Sequence, residues 1–81
     1  MLEGRVLYFR VESSDEKEYF AARSRDLVVR FIEKTEDPGY NLDTLVRVQI
    51  GEARKAPYFE EFAKDYTFCS DGTFLLGKID L

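Results

Sequence analysis

Alternation is clearest near the start of the chain. Leu7, Phe9 and Val11 fall on one side of an extended backbone, with Val6, Tyr8 and Arg10 on the other. This period of two predicts a strand over 4–12. Thr44–Ile50 predicts another, because Val46, Val48 and Ile50 alternate with Arg47 and Gln49. Further on the period lengthens: Phe59, Phe62, Ala63 and Tyr66 recur at spacings of three and four, the stripe of an amphipathic helix. Pro57 opens that helix where a missing N–H costs least, and Glu60 and Glu61 in its first turn complement the helix dipole.

Two stretches read less directly. Ser13 and Glu16 have the spacing of a capping box, and Arg23 and Arg25 stand where the negative end of a helix would be. A short helix over 14–23 is therefore expected, with Tyr19, Phe20 and Ala22 available for burial. Leu27-Val28-Val29-Arg30-Phe31-Ile32 is β-branched and aromatic, which favours a strand over 26–34. Phe20, Leu27, Phe31 and Ile32 could instead share one face of a long helix reaching Glu36. Glu33, Glu36 and Asp37 would crowd the negative end of that helix, so the strand is preferred. Asp37-Pro38-Gly39-Tyr40 suits a type II turn. Asp71-Gly72, between Tyr66-Thr67-Phe68-Cys69 and Thr73-Phe74-Leu75-Leu76, predicts a terminal β-hairpin.

The resulting order is βαββαβ(β), the succession of ferredoxin-like α+β domains: an antiparallel sheet with two short helices on one face. No linker, repeat or low-complexity tract interrupts the chain, so residues 1–81 are expected to form a single domain. Such folds carry many unrelated functions.

Composition narrows the chemistry. An apolar content of 44% in 81 residues is ample for a core and argues against disorder. The absence of histidine removes the commonest general base and metal ligand. The single cysteine, Cys69, closes no internal disulfide and makes no cysteine-rich zinc site; a reducing compartment follows. No apolar run reaches the ~18 residues of a membrane span. The start, Met1-Leu2-Glu3-Gly4-Arg5, lacks the basic and apolar regions of a signal peptide. A cytoplasmic protein without a membrane segment is expected.

Local motifs add little. Cys69 has no adjacent cation to activate it and reads as a small strand residue. The five glycines are isolated, so no phosphate-binding loop is present. Glu60, Glu61 and Asp65 are candidate acid/base groups for a histidine-free enzyme, yet Glu60 and Lys64 have the spacing of an exposed helix pair. No calcium loop or other metal site is found, and no cofactor is implied.

Surfaces are more informative. Five of the twelve Phe and Tyr residues fall between Tyr58 and Phe68, and Tyr58 and Tyr66 are placed to anchor a partner. If Leu7, Phe9 and Val11 face the helices, the other sheet face carries Val6, Tyr8 and Arg10, then Val28, Arg30 and Ile32, then Leu45, Arg47 and Gln49. Arg10, Arg30 and Arg47 would then share an amphipathic open face. That face suits a protein partner or a second copy of the chain, or else RNA or a small anionic ligand. Charge disfavours nucleic acid. Residues 1–35 hold seven basic and seven acidic side chains, and residues 36–81 five and nine, whereas phosphate binding brings a basic footprint. The expectation is a small, non-catalytic protein-binding domain of regulatory, inhibitory or adaptor type, working through Tyr8, Arg10, Arg30, Arg47, Tyr58 and Tyr66. Anion binding through the three arginines is the alternative, and a carboxylate enzyme a third class.

Overall fold

The computed structural model describes residues 6–35, 40–64 and 72–80. The Asp37-Pro38-Gly39 part of the proposed turn, the first strand of the terminal hairpin, Asp65, Tyr66 and Cys69 lie outside them. The chain is α+β, with a four-stranded antiparallel sheet and three short helices.

Strands β1 (Leu7–Glu12) and β2 (Glu16–Ala22) pair antiparallel, with Phe9 opposite Phe20. Ser13 and Glu16, read as a capping box, close this hairpin instead. The Ser13 N–H donates to the Glu16 carbonyl at 2.8 Å, and the Ser13 hydroxyl accepts from the Glu16 N–H at 3.3 Å. The helix expected over 14–23 is therefore a strand. Its Tyr19-Phe20-Ala21-Ala22 run is buried on both sides, and a strand covered on both faces loses the alternation that would identify it.

Residues 26–34 depart in the opposite sense, forming helix α1 (Arg25–Thr35). Val28 and Ile32, four apart, point into the core, with Leu27 and Phe31 beside them. The Ser24 hydroxyl accepts from the Leu27 N–H at 3.4 Å, an N-cap, and Asp26 and Lys34 complement the dipole. Burial of a three-to-four-spaced apolar stripe outweighs the few tenths of a kcal/mol per residue that β-branching costs a helix.

Strand β3 (Asn41–Val48) pairs with β1, and α2 (Ile50–Ala53), α3 (Phe59–Lys64) and β4 (Thr73–Asp80) follow. The sheet order is β3-β1-β2-β4 and the element order ββαβααβ, rather than the ferredoxin-like succession. Ile50, expected to end a strand, opens α2. The helix expected from Pro57 is present as α3, with Phe59 and Phe62 buried and Ala63 exposed.

Strand alternation separates two cores. Phe9, Val11, Phe20, Ala22 and Leu45 meet α1 on one face. Tyr19, Ala21 and Leu76, with Tyr8 and Val48, meet Ala53, Ala56, Phe59 and Phe62 from the α2/α3 segment on the other. Helices thus cover both faces. Gly77 makes room for the second layer. Gly77 has φ +114°, in a β4 bulge opposite Tyr19, and a Cβ there would lie 2.6 Å from Pro57 Cγ. The neighbouring Tyr58 N–H donates to the Leu76 carbonyl at 2.8 Å, tying the α3 entrance to the sheet.

Candidate functional site

The face expected to be open is covered: Val6, Tyr8 and Arg10 lie under α2 and α3, and Val28, Ile32, Leu45, Arg30 and Arg47 lie elsewhere. Tyr8 packs its ring against Phe59 at 6.0 Å and edge-on to Phe62 at 6.2 Å. Arg10, opposite Val46 in the β1–β3 ladder, turns toward α2 and donates from a terminal guanidinium nitrogen to Glu52. Its Nε lies 3.6 Å from a Glu12 carboxylate oxygen. The Tyr19 hydroxyl donates to the same Glu52 oxygen as Arg10, at 2.7 Å.

This network anchors a four-residue helix that could not persist alone, since helix nucleation is costly. The hydrogen bond from Tyr19 and the guanidinium of Arg10 hold Glu52 below the usual carboxylate range. Burial, reinforced by the Glu52 carboxylate it serves, pushes the Tyr19 hydroxyl up to about 12. Arg10 is committed to holding the fold and is not presented to an anion.

The other arginines lie apart from it. Arg30 is on the exposed side of α1, not on a strand. Arg47 is exposed on β3 opposite Phe9, so it belongs to the α1 face and not to the face of Tyr8 and Arg10. Leu45, expected on the open face, is buried against α1. The three arginines do not form one surface. Tyr58 is 49% exposed beside Pro57; Tyr66 lies outside the described residues.

Tyr8 and Arg47 both line one groove, at a place that strand alternation alone would not reveal. The β1–β3 ladder ends at Tyr8–Val48, while β1 remains paired to β2 at Leu7–Ala22. The chain leaves the sheet at Gln49 to start α2, and a groove of about 570 Å³ opens where β3 departs. Val6, Leu7 and Tyr8 line it on one side and Arg47, Val48, Gln49 and Ile50 on the other. Two large apolar side chains stand exposed on this part of the chain, Val46 at 41% and Ile50 at 43%.

No family model, curated protein or solved structure matches the chain. The reading of the groove rests on its own chemistry. Its lining joins the aliphatic Val6, Leu7, Val48 and Ile50 to the Tyr8 phenol, one cation, Arg47, and one side-chain amide, Gln49. Among the described residues, no three His, Cys, Asp or Glu side chains converge as a metal site, and no helix is long and apolar enough to cross a membrane. Of the expected carboxylates, Glu60 and Glu61 are exposed on α3.

Val48 and Ile50, which line the groove, were read only as strand residues from the sequence. The available signal was Val46-Val48-Ile50, an apolar series that continues past the end of the strand and so cannot all be serving the sheet.

Proposed function

We propose that this protein is a binding domain of the cytosol, regulatory, inhibitory or adaptor in type, and that its protein partner docks in the groove between Val6–Tyr8 and Arg47–Ile50. The observation that carries the reading is the exposure of Ile50 and Val46 beside a groove with Tyr8 in its wall. Grouped apolar side chains rimmed by a cation are the composition of a contact patch, with an aromatic or aliphatic anchor at its centre. Arg47 on the rim favours a partner whose anchor is flanked by a carboxylate. A single thiol suits a reducing compartment.

The test uses a photo-crosslinking amino acid placed at Ile50 in the protein expressed in its native host. A discrete protein adduct is expected, lost on adding Arg47→Glu, while the same group at Glu33 on the far side of α1 yields none. An adduct indifferent to Arg47→Glu, or equal labelling from both positions, would refute the reading. The alternative of one anion site built from Arg10, Arg30 and Arg47 has lost its geometric basis, since Arg10 is held by Glu52 and Arg30 lies on a helix.

A further inference from the structure

The sheet order β3-β1-β2-β4 leaves two edges, and their backbones are treated differently. On β4 the Leu76 carbonyl accepts from the Tyr58 N–H at 2.8 Å and Pro57 lies against Gly77, so the middle of that edge is closed. β3 is closed only at its start. There the Thr44 hydroxyl donates to the Asn41 carbonyl at 2.6 Å and the Asp43 N–H to the Asn41 side chain at 2.9 Å, where the β1–β3 register shifts. An irregularity of this kind turns an edge away from added strands. From Leu45 to Val48 no such device stands: among the described residues, only β1 hydrogen-bonds to this part of the strand.

Alternation fixes which backbone groups point outward. The Ser13 N–H donates to the Glu16 carbonyl, and the Glu12 N–H to the Thr44 hydroxyl. Odd-numbered residues of β1 therefore bond to β2 and even-numbered ones to β3. Tyr8 and Arg10 pair with Val48 and Val46, which leaves the N–H and C=O of Arg47, opposite Phe9, directed away from the sheet. The Arg47 side chain is exposed and has no acidic partner among the described residues. Val46 beside it is exposed and Val48 half-buried.

An outward N–H and C=O between two valines is a template for an added strand. Directly opposite residues share one face of a sheet, where unlike charges stabilise and like charges destabilise. A second copy of the chain fits poorly. Antiparallel self-pairing centred on Arg47 sets that cation against its own copy, and centring on Val46 leaves both cations as near neighbours on one face. Centring on Leu45 requires the Asn41–Thr44 stretch to give up its internal hydrogen bonds. A different chain with an acidic residue opposite Arg47 supplies the unmatched charge, and apolar residues on either side cover Val46 and Val48.

We infer that the partner presents an extended segment that adds to the outer edge of β3, reading apolar–acidic–apolar with its carboxylate opposite Arg47. The pattern is the same in either chain direction. Strand addition rests on the groove docking proposed above and specifies its chemistry: backbone pairing at Arg47 holds the segment, and the charge there selects it.

The experiment compares amide hydrogen exchange at residues 46–48 in the free protein and in the adduct captured by the photo-crosslinker at Ile50. In the free protein the Arg47 amide should exchange faster than those of Val46 and Val48. In the adduct it should slow by about tenfold or more, and the captured segment should carry Asp or Glu between apolar residues. Arg47→Pro deletes the outward N–H, a change that an edge strand accepts, and should abolish the adduct. Arg47→Ala keeps the N–H and should only reduce the yield. Should Arg47→Pro fail to fold, as judged by α1 protection, the exchange comparison decides alone. An adduct in which Arg47 exchanges as fast as in the free protein, a captured segment without an acidic residue, or an undiminished adduct in folded Arg47→Pro would overturn strand addition and leave groove docking intact. Absence of any adduct would overturn both.

Discussion

The two faces of the sheet are covered in different ways. On one face, α1 is an eleven-residue capped helix whose Val28, Ile32, Leu27 and Phe31 seat on Phe9, Val11, Phe20 and Leu45. On the other, α2 and α3 have four and six residues, too few for helices of independent stability. They are held by discrete ties: Glu52 to Arg10 and Tyr19, the Tyr58 N–H to Leu76, and the Pro57–Tyr58 seat on Gly77. A layer held by its apolar stripe tolerates the loss of one polar contact. A layer that relies on point attachments as well as on Phe59 and Phe62 is expected to be more sensitive to their loss, and this layer borders the proposed groove.

Phe20→Ala removes a side chain at the centre of the α1 face and should cost about 3–5 kcal/mol in urea unfolding, with the whole fold lost in one transition. A much smaller loss would mean that the face with the long helix is not the stronger. Gly77→Ala strains a positive φ and drives a methyl into Pro57; about 2 kcal/mol or more is expected. Native-state hydrogen exchange should place its effect first in α2 and α3, and uniform loss of protection would contradict the point-attachment view.

Glu52→Gln should cost about 1–2 kcal/mol, the range for a hydrogen bond to a charged group discounted for partial exposure, and should leave α1 protection unchanged. The pH dependence sharpens this. Glu52 is depressed in the folded state, so its contribution is present above its ordinary value of 4.5 and is lost as pH falls through the lower folded value. Tyr19 is raised, so its contribution is complete below 10 and is lost as pH rises through about 12. Glu52→Gln should flatten the acid limb, measured as urea midpoint against pH; an unchanged acid slope would remove Glu52 from the account. The smallest effect belongs to Arg30→Ala, exposed on α1: no resolvable change in stability, and none in crosslinking at Ile50. Loss of the adduct would return Arg30 to the binding surface.

How much of this was legible in the residues depends on how many sides of each element are covered. β1 alternates plainly from Leu7 to Val11, and Phe59 with Phe62 announce α3. β2 sits in the middle of the sheet and is buried on both faces, so Tyr19-Phe20-Ala21-Ala22 has no polar side to mark it as a strand. In α1 the reverse holds: Val28, Val29 and Ile32 favour strands locally, and only the spacing of Leu27 with Phe31 and Val28 with Ile32 carried the helix. Of the residues expected at a binding surface, Tyr8 and Arg47 line the groove. Arg10 lies on the expected face of the expected strand, but that face is covered by α2; Arg30 was misplaced with the element that carries it, and Ile50 was assigned to the sheet.

The sequence by itself determined the α+β class, the stock of apolar side chains, the scarcity of reactive groups and the two regular patterns at 7–11 and 59–62. These depend on residue type and short-range spacing, which the chain carries locally. Only the tertiary structure decided that helices lie on both faces, that Arg10 is spent on Glu52, and that Glu18 is buried beside Tyr40. The last two depend on residues 42 and 22 positions apart being brought together. Which side of a strand receives cover is set by where the connecting chain crosses, not by the strand's own alternation.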